Sequence, residues 1–373
     1  MSRISTPSRA CRLLGFAAIL LAIGTAAAQE YQAPQYDLSA LPSYQPARMA
    51  LGVVRIYGTP LESLVGRWAG EFRARQGHVR LEAYLINTSQ AFAGLVTGKA
   101  DIGLMGHRTW HTSLVAFERE FGYAPLEIRF ATGSYDDPRG STPGLVFVVH
   151  RSNPLTDLTL EQIDGIFCAQ RTGGWDGTTW SAAAARGPEK NIRTWGQLGL
   201  TGEWADQPIR PHGSDVTLSN WADLIEREAC KGGKKWNPAL IEGPRADIGL
   251  KARGKTRDQE IIEGVQHDPF AIGFTFQRVV NATGADVKVL RLARTGADPS
   301  VAPAAQTFFD GSYPMHNGAY LYLNRKPGHR LSVRDEEFVR FVLSHEGQQI
   351  VADSRIFIPL NAEQVRAELR KLD

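Results

Sequence analysis

The chain has 373 residues, enough for two domains of roughly 100–200 residues each, and at 43% hydrophobic and 22% charged it has the composition of an ordinary globular protein. Its formal charge of +3 reflects 42 basic against 39 acidic residues, and the excess lies in an acid-free N-terminal stretch holding Arg3, Arg9 and Arg12. The rest of the chain is balanced, which excludes a general nucleic-acid surface, because that needs a basic excess.

Those three arginines precede the apolar run "LLGFAAILLAIGTAAA", which ends at Ala26-Ala27-Ala28. A positive start, an apolar middle and small residues before Gln29 predict a signal peptide over 1–28, cleaved near Ala28, and hence a periplasmic protein. A membrane anchor needs about 20 apolar residues, and this run is shorter. Cys11 stands before the apolar run, so no lipoprotein cysteine is present, and no paired arginines mark the twin-arginine route. Residues 29–48, rich in Pro, Gln, Ser and Tyr, predict an irregular lead-in.

The regular pattern begins with strand-like "LGVVRIYG". Leu61, Leu64, Val65, Trp68 and Phe72 then keep helical spacing. "VRLEAYLI" alternates as a strand, "SQAFAGLVTG" predicts a helix ended by Gly98, and "ADIGLM" a short buried strand. Strands alternating with helices imply a parallel sheet with crossover helices. "PGLVFVVHRSNP" is a longer strand, and "LTLEQIDGIFCAQ" a helix with Thr159 as its N-cap. "RTGGWDGTTWSAAAARGPEKN" predicts an inserted surface loop. "HGSDVTLSNWADLIEREAC" predicts a helix whose apolar face is Leu218, Trp221, Ala222, Ile225 and Ala229. "RDQEIIEGVQHDP" follows as a helix, then the strands "FAIGFTF", "VKVLRLA" and "GAYLYLNRKP", and last the helix "DEEFVRFVLSHEGQQIVADS". The chain thus reads as two α/β units, visiting the second and returning to the first.

Cys168 and Cys230 are the two cysteines beyond the leader. In an exported protein they are expected to form a disulfide, with two separate buried thiols as the alternative. No CxxC occurs, and His107 and His111 share helical spacing without an acid or cysteine beside them, so no metal site is expected.

Enzyme signatures are missing: there is no GxSxG, HExxH or P-loop. Instead one device recurs at three strand ends. "YGTPLES" places Gly58 and Thr59 before Pro60, which is favoured at a first helical position. "INTSQAF" places Thr88 and Ser89 before a helix, and "RPHGSDV" sets Arg210, then Gly213 and Ser214, at a third. Helix N-termini present unpaired N–H donors and a partial positive charge, and arginine adds a planar bidentate cation. One such hydroxyl is ordinarily only a cap. Three in the same position, beyond the carboxyl ends of strands, point to an anion site.

At these residues, and in "GKADIGLM", "HRSNPLTDLTLEQIDGIF", "WGQLGL", "AIGF" and "FVRFVLSHEGQQIV", the chain resembles the periplasmic phosphate-binding proteins of ABC transporters, within the type II periplasmic solute-binding proteins. The resemblance runs from about Leu51 to the C-terminus. It implies a two-lobed α/β fold, each lobe a mostly parallel sheet flanked by helices, with lobe I over 49–142 and 322–373 and lobe II over 143–321. It implies ligand contacts at Thr59, at Thr88 with Ser89 beside it, at Arg210 and at Ser214, and a monomer that delivers phosphate or a related oxyanion to a membrane permease without cofactor or catalysis. The sequence departs from the family pattern at Asp215-Val216, where Gly-Thr is expected, and at Gly106, where the family has an aspartate that accepts the proton of hydrogen phosphate. Asp215 is a candidate for that acceptor from the other lobe, and Arg108 for added positive charge. The departures suggest, as an alternative, a scaffold diverged toward another ligand or a sensory partner; from a different class, the anion seat suggests an exported phosphatase built on Ser214, His212 and Asp215.

Overall fold

The computed structural model describes residues 32–142, 144–214, 216, 220–242 and 256–373. The predicted signal peptide lies outside them.

Residues 32–51 carry no helix or strand but are tied down. Leu38, Leu41, Tyr44 and Ala50 are buried. The Tyr44 hydroxyl donates to Glu337 at 2.8 Å, and the Arg48 guanidinium donates to Glu336 at 2.8 Å. The lead-in is therefore a strap packed on the C-terminal helices.

The first part of the chain runs β1 (Gly52–Gly58), α1 (Glu62–Arg75), β2 (Val79–Tyr84), α2 (Gln90–Val96), β3 (Ile102–Met105), α3 (His111–Phe121) and β4 (Leu126–Gly133). Then come β5 (Leu145–His150), β6 (Asp157–Thr159), α4 (Leu160–Phe167), β7 (Gly174–Asp176), β8 (Thr179–Ser181), β9 (Arg210–Gly213), α5 (Asn220–Glu228), β10 (Ile241–Glu242), α6 (Arg257–His267), β11 (Ala271–Phe276), α7 (Gln277–Thr283), β12 (Val287–Val289), β13 (Arg291–Ala293) and α8 (Ala305–Phe309). The last part is β14 (Gly318–Leu323), α9 (Val333–Val342), α10 (His345–Ser354), β15 (Phe357–Ile358) and α11 (Ala362–Leu369).

Two sheets organise these elements: β15-β4-β14-β3-β1-β2 and β10-β9-β11-β5-β12. In the first, β1, β2, β3 and β4 run one way, while β14 and β15 oppose them. In the second, only β5 opposes the other four. The reversed strands β5 and β14 are the first the chain lays down in a main sheet after each passage between the two. β14 joins the first sheet at Gly318, opposite Thr132, ahead of the boundary expected at 322.

Apolar periodicity explains the packing of the first unit. Leu64, Val65, Trp68 and Phe72 of α1 are all buried. Trp68 meets Phe130 edge-on at 5.2 Å, and Phe72 meets Phe338 at 5.4 Å. Aromatic rings prefer such edge-to-face contacts because their faces are negative and their edges positive. In the second unit Phe147, Phe167 and Phe274 form the equivalent cluster, with Phe167 at 5.5 Å from each of the other two. Thr159 caps α4 as expected, and Gln162 completes the box.

Three predicted elements differ. In the stretch expected as a helix from His212, His212 and Gly213 instead pair in β9 with Ile241 and Glu242, and the described helix is Asn220–Glu228. "VKVLRLA" splits at Leu290: β12 pairs with β5 and β13 with β6. The last long helix breaks at Leu343, where the Ser344 hydroxyl accepts the Gly347 N–H and starts α10. The inserted loop after α4 carries the hairpin β7–β8.

Cys168 and Cys230 form the disulfide, with Cα atoms 5.8 Å apart across 62 residues of sequence. Beside it, Asp164 takes both ends of the Arg171 guanidinium at 2.7 and 2.9 Å and lies 3.3 Å from Arg186. All three charged side chains are buried.

Candidate functional site

The parallel strands β3, β1 and β2 lie side by side, and their carboxyl ends deliver the groups expected to meet an anion. β1 ends at Gly58 with φ +147°, and a Cβ there would lie 1.9 Å from the Leu104 carbonyl. Only glycine permits that approach. The Thr59 N–H then donates to the Leu104 oxygen at 2.9 Å, which fixes where Thr59 projects.

Three groups converge at this edge. The Thr59 hydroxyl accepts the Gly106 N–H at 3.0 Å, and its oxygen lies 3.1 Å from the Thr88 hydroxyl. Two hydroxyls carry two protons, and their mutual bond uses one. One O–H is left to donate outward. Gly106 follows β3, and its carbonyl accepts the Thr142 hydroxyl. Thr142 holds φ +49°, a conformation a β-branched residue rarely adopts. Its part in this cluster had no signal in the sequence. A Cβ on Gly106 would meet Thr59 Cγ2 at 3.3 Å and Thr142 Oγ1 at 3.6 Å, so a side chain there would press on both threonines.

Neither threonine caps a helix. α1 starts at Glu62 with Leu61 as N-cap, so Pro60 falls outside the helix, contrary to the expected first position. Ser89 is the N-cap of α2 but makes no capping bond, and its exposed hydroxyl donates to Asn87 instead. Freed from capping, Thr59 and Thr88 bind each other.

The remaining predicted residues are distributed differently. Ser214 is buried and follows the carboxyl end of β9 in the second sheet. Arg210 opens that strand rather than closing it, about 10 Å of extended chain away from Gly213. Its guanidinium donates to Asp268 at 2.7 Å, lies 6.0 Å from the Phe270 ring centre, and is half exposed. Arg210, expected to leave a strand, thus opens one instead; the length of β9 separates it from Ser214, and Asp268 pairs with its guanidinium. His212, between them, packs against Gly264. Burial holds its imidazole below the usual range, Asp268 opposing and Arg210 reinforcing that effect. Arg108 is likewise committed, donating to Glu127 at 3.0 Å. Asp215 lies outside the described residues.

The two units meet beyond this edge. The His111 ring donates to the Gly177 carbonyl of the β7–β8 hairpin at 2.8 Å, and its ring centre lies 4.7 Å from that of Trp175. A recess between them is lined by Arg108, Thr109, His111 and Leu114 from one side and by hairpin and α5 residues from the other.

Residues 142–346 match the family described as PBP superfamily domain. The chain belongs to the PBP superfamily. The phosphate-binding protein PstS of Pseudomonas aeruginosa, in two strains, is 28% identical over 334 residues, covering 89% of this chain and 91% of that protein. PstS of Staphylococcus saprophyticus is 21% identical over 244 residues, covering 64% of this chain and 62% of that protein. The crystal structure of PstS from Borrelia burgdorferi superposes with a TM-score of 0.51 at 15% identity, covering 83% of this chain and 99% of that one, a likeness of fold. The relatives are binding proteins by name. Among the described residues, no helix is long and apolar enough to cross a membrane.

Proposed function

We propose that this PBP-superfamily protein captures inorganic phosphate or a closely related oxyanion between its two lobes and passes it to a membrane ABC permease. The observation that carries the reading is the convergence of the Thr59 and Thr88 hydroxyls with the Gly106 N–H at three neighbouring strand ends. Ligands of open α/β sheets lie beyond such carboxyl ends. The similarity to PstS over nearly the whole chain supports phosphate over other guests.

In this reading the one free O–H of the Thr59–Thr88 pair donates from lobe I, Ser89 stands at the rim, and Ser214 donates from lobe II as the lobes close, a hinge motion of which periplasmic binding proteins are a general example. Arg108 and Arg210, each held by a carboxylate, contribute positive potential rather than direct contacts. Asp215 is the candidate proton acceptor that Gly106 does not supply. The protein acts without catalysis, as a monomer, exported to the periplasm after cleavage near Ala28.

Titration calorimetry with phosphate, arsenate, sulfate and molybdate is the test. Heat with phosphate is expected; no heat and no thermal shift with any of the four would end the proposal. Arg210→Ala separates the roles of the cations: a loss under about threefold fits a residue held by Asp268, whereas a loss of about thirtyfold or more means direct ligation, since a hydrogen bond to a charged partner is worth about 1.5–3 kcal/mol.

A further inference from the structure

The recess between the lobes has a cavity volume of about 90 Å³ and is open to solvent on one side. Two of the residues that line it each keep a buried side-chain oxygen without a hydrogen-bond partner among the described residues: Thr109 its hydroxyl, from lobe I, and Glu226 its Oε2 atom, from α5. Thr109 is 4% exposed and Glu226 3%. The other Glu226 oxygen accepts the Lys234 N–H. Of the neighbouring cations, Arg227 pairs with Asp223 at 2.9 Å, Lys234 lies 3.9 Å from the same Asp223, and Arg108 pairs with Glu127. Burying an unpaired carboxylate oxygen is costly. Two such groups, brought from opposite lobes to one recess, mark a place built for a guest that donates hydrogen bonds.

We propose that this recess is a second subsite of the same cleft, taking the ammonium end of a small organic phosphate whose phosphate group rests against Thr59 and Thr88. The inference builds on the function proposed above. The charge of the guest follows from Glu226, since a buried carboxylate gains most from a cation. Burial pushes that carboxyl up from its usual range, the Lys234 N–H and the Lys234 charge opposing, and a bound ammonium would bring it back down.

The experiment compares inorganic phosphate, ethyl phosphate and O-phosphoethanolamine by calorimetry on the wild type, Glu226→Gln and Thr109→Val. In the wild type the aminoethyl ester binds at least about tenfold more tightly than the ethyl ester, a difference of about 1.4 kcal/mol. In Glu226→Gln that preference falls to about twofold or less, while inorganic phosphate affinity stays within about twofold of wild type. Thr109→Val reduces the same preference and stands in should Glu226→Gln lose its melting transition. Equal binding of the two esters to the wild type overturns the proposal and leaves the phosphate reading intact. A preference that survives both substitutions also overturns it. Binding of none of the three removes both readings together.

Discussion

Thr59→Val isolates the hydroxyl at the centre of the site while keeping its shape. The substitution removes the acceptor of the Gly106 N–H and the partner of the Thr88 hydroxyl, bonds of 3.0 and 3.1 Å. Thr59 is only half-buried, so water partly replaces the lost partners, and the folding cost should sit near the low end for a stranded donor, about 1–2 kcal/mol. The effect on binding is expected to be larger. A hydrogen bond to an anion contributes about 1.5–3 kcal/mol, so phosphate affinity should fall about ten- to a hundredfold. Thr59→Ser, which keeps the hydroxyl, should recover most of it. Calorimetry gives the affinity and denaturant melts give the stability. A valine variant that melts lower yet binds phosphate within about twofold of wild type would show that the hydroxyl only braces the loop, and the argument from converging donors would fail.

Replacing Cys168 and Cys230 by alanine together should lower stability by about 4 kcal/mol in the chain-entropy view of a closed loop of this length, read as a shifted denaturation midpoint; a shift no larger than that of a surface alanine control would refute it. Asp164→Asn removes the carboxylate between two buried guanidiniums and should cost about 3–5 kcal/mol, since breaking a buried pair strands charge; unchanged melting would count against a charged cluster there. Asp157 is held at about 2, chiefly by its hydrogen bond from Arg291, with burial opposing. Its folded value is depressed, so its contribution is present above the usual aspartate range and fades as pH falls from about 4 toward 2. Asp157→Asn should therefore lower the melting temperature at pH 7 and shift it much less at pH 2, and an equal shift at both would contradict the linkage.

Much of this protein is written in local pattern. The run Leu64, Val65, Trp68 and Phe72 specifies α1 and its buried face, because helical spacing puts these side chains on one stripe. Thr159 and Gln162 specify the start of α4 for a similarly local reason. The strand-end threonines were legible too, as residues placed where open α/β sheets gather ligands. Partnership was not legible. That Thr59 binds Thr88 and Gly106 instead of capping α1 depends on three strands lying in the order β3-β1-β2, a long-range arrangement. That Arg210 faces Asp268 depends on β9 pairing with β11, which sets the arginine at the strand's far end. That His212 and Gly213 extend a strand rather than a helix reflects ladder bonds to Ile241 and Glu242, which override local propensity. Thr109 and Glu226 are 117 positions apart in the chain and carry no shared motif; only the approach of the two lobes brings them to one recess. Periodicity reports which side of an element is buried, whereas the partner a polar group finds is decided by how distant strands and helices are stacked.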